Sequence, residues 1–98
     1  MELPKNRSLL VRMRDARVKA LQATGLVLAG SLVKFPKHNS LYLTGYFRGK
    51  TRTLYIPLDR LKEVKAWNAS YKAARRILGE LSEIQRELLR GEIAVRRR

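Results

Sequence analysis

The sequence predicts an α+β fold: an N-terminal helix, a three-stranded antiparallel meander and a long C-terminal helix. Three observations carry this. Apolar residues recur every three or four positions over residues 7 to 23. They alternate with polar ones over residues 41 to 56, and the three-four spacing returns from about residue 58. No linker, internal repeat or low-complexity tract divides the 98 residues. They are read as a single domain with segments 1–25, 26–57, 58–90 and 91–98, near the small end of what folds alone.

The first helix is RSLLVRMRDARVKALQA. Leu9, Leu10, Met13, Ala16, Arg17, Ala20 and Leu21 form its stripe, Asn6 or Ser8 caps its start, and Gly25 follows its end. Its outer face holds Arg7, Arg14, Lys19 and either Arg12 or Arg17. Next, LVLAGSLVKF (26 to 35) is rich in apolar and β-branched residues and reads as a first strand, bent or bulged near Gly30. PKHNS then reads as a loop, with Pro36 and Asn39 as breakers.

LYLTGYFR and TRTLYIP form a hairpin. Gly49-Lys50 suits a type II′ turn, and Arg48-Gly49 is the alternative loop. Either register puts Leu41, Leu43, Gly45, Phe47, Leu54 and Ile56 on one face, with Arg52 at its outer end. Tyr42, Thr44, Tyr46, Arg48, Thr51, Thr53 and Tyr55 fall on the other. The first face is expected to be core and the second an aromatic, basic surface.

In the last helix Leu61, Val64, Trp67, Tyr71, Ala74, Leu78, Leu81 and Leu88 form the stripe, with Ile77 and Ile84 beside it. Pro57 and Asp59 mark the start, and Gly91 is expected to end the helix before a basic tail. Its first half, with Trp67 and Tyr71, is expected to cover the sheet. The second half needs another partner for Leu78, Leu81, Ile84 and Leu88, either the first helix or a second copy of the chain.

Charge is the strongest compositional signal. Twenty-two Lys and Arg against eight Asp and Glu leave a formal charge of +14. So much like charge on a small chain favours a polyanionic partner, nucleic acid first. From Ala16 to Leu58 there is no acidic residue, while Arg17, Lys19, Lys34, Lys37, Arg48, Lys50 and Arg52 fall inside that window. A generically solvated basic surface is the competing explanation. The expected nucleic-acid-binding residues are Arg14, Lys19, Lys34, Lys37, Tyr42, Tyr46, Arg48, Lys50 and Arg52. Aromatic rings stack on bases and the cations meet phosphates, unless the tyrosines are ordinary strand residues or lie beneath the first helix.

Enzymatic chemistry is not expected. RGKT at 48 to 51 lacks the upstream glycine of a phosphate-binding loop and sits in a strand–turn–strand setting. His38 is the sole histidine and there is no cysteine, so neither a zinc site nor a nucleophile–base pair is expected. Glu80, Glu83 and Glu87 lie among Arg76, Arg86 and Arg90 and read as a mixed helix surface. No cofactor or metal is expected. The apolar runs are far short of a membrane span, and the charged N-terminus does not read as a signal peptide. A cytoplasmic location without membrane association is the expectation.

Gly30-Ser31-Leu32-Val33, Tyr42-Leu43, Gly49-Lys50-Thr51-Arg52, Tyr55-Ile56-Pro57, Val64, Trp67, Tyr71 and Leu81-Ser82-Glu83-Ile84 resemble a small prokaryotic domain family of unknown function. That family is associated with mobile elements and transposase neighbourhoods. The resemblance covers roughly residues 28 to 90 and implies a prokaryotic or viral nucleic-acid context. It supplies no catalytic residues. Members often carry a cysteine cluster where this chain has KFPKHN, so a metal implied there is not expected here.

A reading of a different class is a protein-interaction module. Residues 64 to 88 fit a short coiled coil, with Gln85 at a core position. Leu78, Leu81, Ile84 and Leu88 would then pair with a second copy, giving a homodimer, or with a partner subunit.

Overall fold

The computed structural model describes residues 2–35 and 40–96. The elements run α1 (Arg7–Gln22), β1 (Ser31–Phe35), β2 (Ser40–Phe47), β3 (Lys50–Ile56), a 3-10 turn at Leu58–Arg60 and α2 (Leu61–Arg96). This is the α+β order expected from the sequence. The contacts group into two compact units. One holds Met1–Gly25 with Ala73–Arg98, and the other holds Leu26–Lys72.

In the helical unit, the Asn6 side chain caps α1 by accepting the Ser8 N–H at 2.9 Å, which satisfies an otherwise orphaned donor. Leu10 is buried against Ile84 and Leu88, with Leu3, Val11 and Met13 around them. Burying each large aliphatic side chain contributes about 1.5–3 kcal/mol, so this small cluster is the main attraction in the unit. Arg7 pairs with Glu92 at 3.1 Å and Arg17 with Glu80 at 3.5 Å, so α1 and this part of α2 run antiparallel.

Several expectations shift here. The inward side of α1 holds Leu10, Met13, Arg14 and Arg17, while Leu9, Ala16 and Ala20 are exposed. In α2 it is Ile77, Ile84 and Leu88 that are buried, whereas Leu78 is exposed and Leu81 is half-buried. These turns face α1, and its Leu10 selects Ile84 and Leu88 as neighbours. α2 also runs through Gly91 to Arg96 instead of stopping. Glycine weakens a helix by about 1 kcal/mol relative to alanine, and Leu88-Leu89-Arg90 and Glu92-Ile93-Ala94 on either side propagate it.

In the sheet unit the strand order is β1-β2-β3, antiparallel throughout. The register pairs Phe47 with Lys50, so Arg48 and Gly49 form the turn. Both have positive φ, 51° and 79°, as a type I′ turn requires. The Arg48-Gly49 loop is therefore adopted and the Gly49-Lys50 loop is not. The physical reason lies in the cross-strand pairs, because this register sets Tyr42 against Tyr55 and Thr44 against Thr53.

The first strand begins at Ser31, five residues later than the sequence suggested. Gly30 adopts φ 126°, and a side chain there would meet the Thr44 carbonyl at 2.9 Å. The chain leaves the ladder at this close approach. The backbone of 26–30 is satisfied elsewhere: the Leu28 N–H donates to the Trp67 carbonyl at 3.1 Å. Buried Asn68 then donates to the carbonyls of Leu28 and Gly30, at 3.0 and 2.8 Å. Below, Leu43, Ile56 and Val64 form the core, with Leu28, Leu32, Leu61 and Trp67 packed around it.

Candidate nucleic-acid interface

The alternation of the strands sorts the candidate residues by face. Val33, Tyr42 and Tyr55 share one row of the sheet, and Ser31, Thr44 and Thr53 share the next. Phe35 and Tyr46 lie on the same side. The opposite face holds Leu32, Lys34, Leu41, Leu43, Gly45, Phe47, Lys50, Arg52, Leu54 and Ile56.

The tyrosines and the cations of the hairpin are therefore not one surface. Lys50 lies directly across from Phe47 and Arg52 across from Gly45, both on the face away from the tyrosines. Arg48, in the turn, carries its guanidinium over the Phe47 ring at 5.5 Å, and the Arg52 guanidinium lies 5.9 Å from the same ring. Two guanidinium groups thus lie beside one aromatic ring at the hairpin tip, and Lys50 stands across the ladder from it. Phe47 is exposed, and the hairpin there runs three residues past the last β1 pairing at Thr44.

The tip cations are unneutralised. Among the described residues, Arg48, Lys50 and Arg52 have no ion-pair partner. The sheet unit's carboxylates, Asp59 and Glu63, stand at the start of the last helix, where Glu63 is bound to Arg60 at 2.9 Å.

The tyrosine face is open. Tyr46 is 78% exposed and Tyr55 54%, and Tyr42 is half-buried. Tyr42 lies edge-on between Phe35 at 4.8 Å and Tyr55 at 5.7 Å, inside the range of favourable aromatic pairs.

The remaining candidates lie elsewhere. Lys34 is opposite Leu41, at the far end of the sheet from the turn, about 20 Å along β2 from Phe47 at 3.3 Å per residue. Arg14 is tied to Asp15 at 3.2 Å in α1, and Lys19 is exposed in its last turn. Lys37 and His38 lie outside the described residues, as do Arg97 and Arg98 of the expected basic tail.

Ile84 and Leu88, expected on the interaction helix, are consumed by α1. Gln85, expected at a coiled-coil core position, is exposed. The exposed large apolar residues from Leu78 to the end of α2 are Leu78, Leu89, Ile93 and Val95.

Sequence patterns did not reveal Phe47 as the centre of the basic tip, Phe35 as part of the aromatic face, or Asn68 as the clamp on 26–30. Phe47 sits on the apolar face by alternation, but the packed part of that face is Leu43 and Ile56 against Val64, and Phe47 lies outside it. An asparagine between Trp67 and Tyr71 in an apolar stripe was a legible signal for a buried polar contact.

Among the described residues, no group of three or more His, Cys, Asp or Glu side chains converges to hold a metal ion, and no helix is long and apolar enough to cross a membrane. Comparison finds no matching family model, no matching curated protein and no matching solved structure.

Proposed function

We propose that this protein is a non-enzymatic nucleic-acid-binding module whose hairpin tip grips the sugar-phosphate backbone. The observation that carries this reading is the grouping of Arg48, Lys50 and Arg52 at the tip, two of them over exposed Phe47 and the third across the ladder from it, with no carboxylate partner among the described residues. Cations held near one another repel, and phosphates relieve that repulsion while releasing counter-ions. The turn supports the role: Arg48 is held at positive φ beside Gly49, which aims its guanidinium over Phe47 instead of along the strand. Arg14 and Lys19 of α1 belong to a secondary basic surface, and Arg14 is already partly neutralised by Asp15. The test is a binding titration with DNA and RNA oligomers at several salt concentrations. Log affinity is expected to fall steeply and linearly with log salt, by about 0.9 per phosphate neutralised on duplex DNA. A flat response between about 50 and 200 mM would remove the proposal.

A second reading, protein association through α2, is favoured by the exposure of Leu78, Leu89 and Ile93. A groove of about 710 Å³ in the helical unit, lined by Leu10, Leu88, Gly91 and Val95, adds apolar surface there. Sedimentation of wild type and of Leu89→Ser/Ile93→Ser decides it. A concentration-dependent dimer lost in the variant supports association, and a monomer throughout removes the homodimer.

A further inference from the structure

Beside the cationic tip, the sheet carries a face with no charge of either sign among the described residues. Ser31, Val33, Phe35, Tyr42, Thr44, Tyr46, Thr51, Thr53 and Tyr55 occupy it. Four of these are aromatic, and three of them, Phe35, Tyr42 and Tyr55, form a continuous strip across all three strands. The fourth, Tyr46, joins the strip's side of the sheet to the tip. It is the most exposed of the four, and its hydroxyl comes within 4.0 Å of where a Gly49 Cβ would stand. The hydroxyls of Thr44 and Thr53 lie 3.4 Å apart between Tyr46 and the strip.

Burial does not account for this face. Phe35 is 45% exposed, Tyr55 54% and Tyr46 78%, a clustered aromatic surface of the kind that marks a binding site. An uncharged aromatic surface offers phosphate hydroxyl donors at most and no Coulombic attraction. It can stack on unpaired bases, because every base has a π-face. In a duplex those faces are sealed by the stack, so a duplex can use only the cations of the tip. A single strand can use both.

Resting on the nucleic-acid reading above, we propose that the preferred ligand is a single strand. Its phosphates lie at Arg48, Lys50 and Arg52, and its unpaired bases stack on Tyr46 and Tyr55. The two faces of the hairpin divide the work: the tip supplies salt-dependent attraction, and the tyrosine side supplies discrimination between unpaired and paired bases.

The experiment compares a single-stranded oligonucleotide with its duplex at fixed salt, using wild type, Tyr46→Ala, Tyr55→Ala, their phenylalanine counterparts and Arg48/Lys50/Arg52→Ala. Circular dichroism checks each fold. Wild type is expected to bind the single strand more tightly than the duplex. Each alanine substitution is expected to lower single-strand affinity by about 5- to 150-fold, the range of one lost base stack, with duplex affinity and salt slope unchanged. Phenylalanine keeps the ring and is expected to keep the preference. The triple variant weakens both ligands and flattens both salt slopes. Folded alanine variants that bind single strand as wild type does would overturn the inference while leaving the tip's role standing. It is equally overturned if they change only the oligomeric state in parallel sedimentation, since the face would then be a protein contact. A wild type that binds neither ligand overturns the nucleic-acid reading itself.

Discussion

The helical unit and the hairpin tip are both rich in arginine and lysine, but carboxylates stand among the cations of the first and not among those of the second. In the helical unit five arginines meet carboxylates, Arg7 with Glu92, Arg14 with Asp15, Arg17 and Arg76 with Glu80, and Arg90 with Glu87, while Arg12, Lys19, Arg75 and Arg86 have no ion pair among the described residues. At the tip, Arg48 and Arg52 have only the Phe47 ring beside them. Exposed ion pairs contribute about 0–1 kcal/mol each, so those of the helical unit tune a structure that its apolar core maintains. Cations gathered at one point without carboxylates repel one another, against which each contact with the Phe47 ring sets about 0.5–1 kcal/mol. Net charge is therefore a poor guide to a binding surface, and the local supply of carboxylates is a better one.

Four substitutions put that contrast at risk. The largest effect is expected in the helical core: Ile84, with 0% exposure, should cost about 2–5 kcal/mol on truncation to alanine. Urea denaturation measures this, and the salt dependence of binding by the folded fraction should be untouched. Second, Arg48/Lys50/Arg52→Ala should lower the log–log salt slope by about 2.7, if each cation meets one phosphate of duplex DNA. Between about 50 and 200 mM salt the wild type should then lose about 40-fold more affinity than the variant. Its denaturation midpoint should hold or rise, and a marked fall would show the tip cations to be structural.

Third, Asn68→Ala strands the carbonyls of Leu28 and Gly30 and should destabilise the sheet unit by about 1–3 kcal/mol. Hydrogen exchange at the Leu28 amide, bonded to the Trp67 carbonyl, should accelerate first. The smallest effect is expected at Arg17→Ala. Breaking its half-buried pair with Glu80 should cost about 0.2–1 kcal/mol without altering nucleic-acid affinity. Were Arg17→Ala to weaken binding as strongly as the triple tip variant, the contrast between the two regions would fail.

How much of the molecule was legible in advance follows from which forces are local. The caps and stops of α1, the alternation of the hairpin and the start of the last helix rest on near neighbours, so the chain declares them. The turn was harder. Both candidate loops keep the same faces, and the choice rests on which cross-strand pairs form, Tyr42 with Tyr55 and Thr44 with Thr53. The late start of β1 was not legible, because the close approach of Gly30 to Thr44 and the Asn68 clamp join residues far apart in sequence. The candidate site was half legible. Its cations and tyrosines could be named, and alternation already set Arg52 on the face away from the tyrosines, so listing Lys50 and Arg52 with Tyr42 and Tyr46 as one binding surface did not hold.

Local pattern was enough to set the order of elements, the two hairpin faces and a middle segment free of acid, because helix period, strand alternation and composition are properties of neighbouring residues. Packing between distant segments was needed to bring Ile84, not Leu78, against α1, and to leave Phe47 outside the packed part of its face, beside two unpaired guanidinium groups. Those outcomes depend on where one element ends against another, and no short stretch of chain encodes that distance.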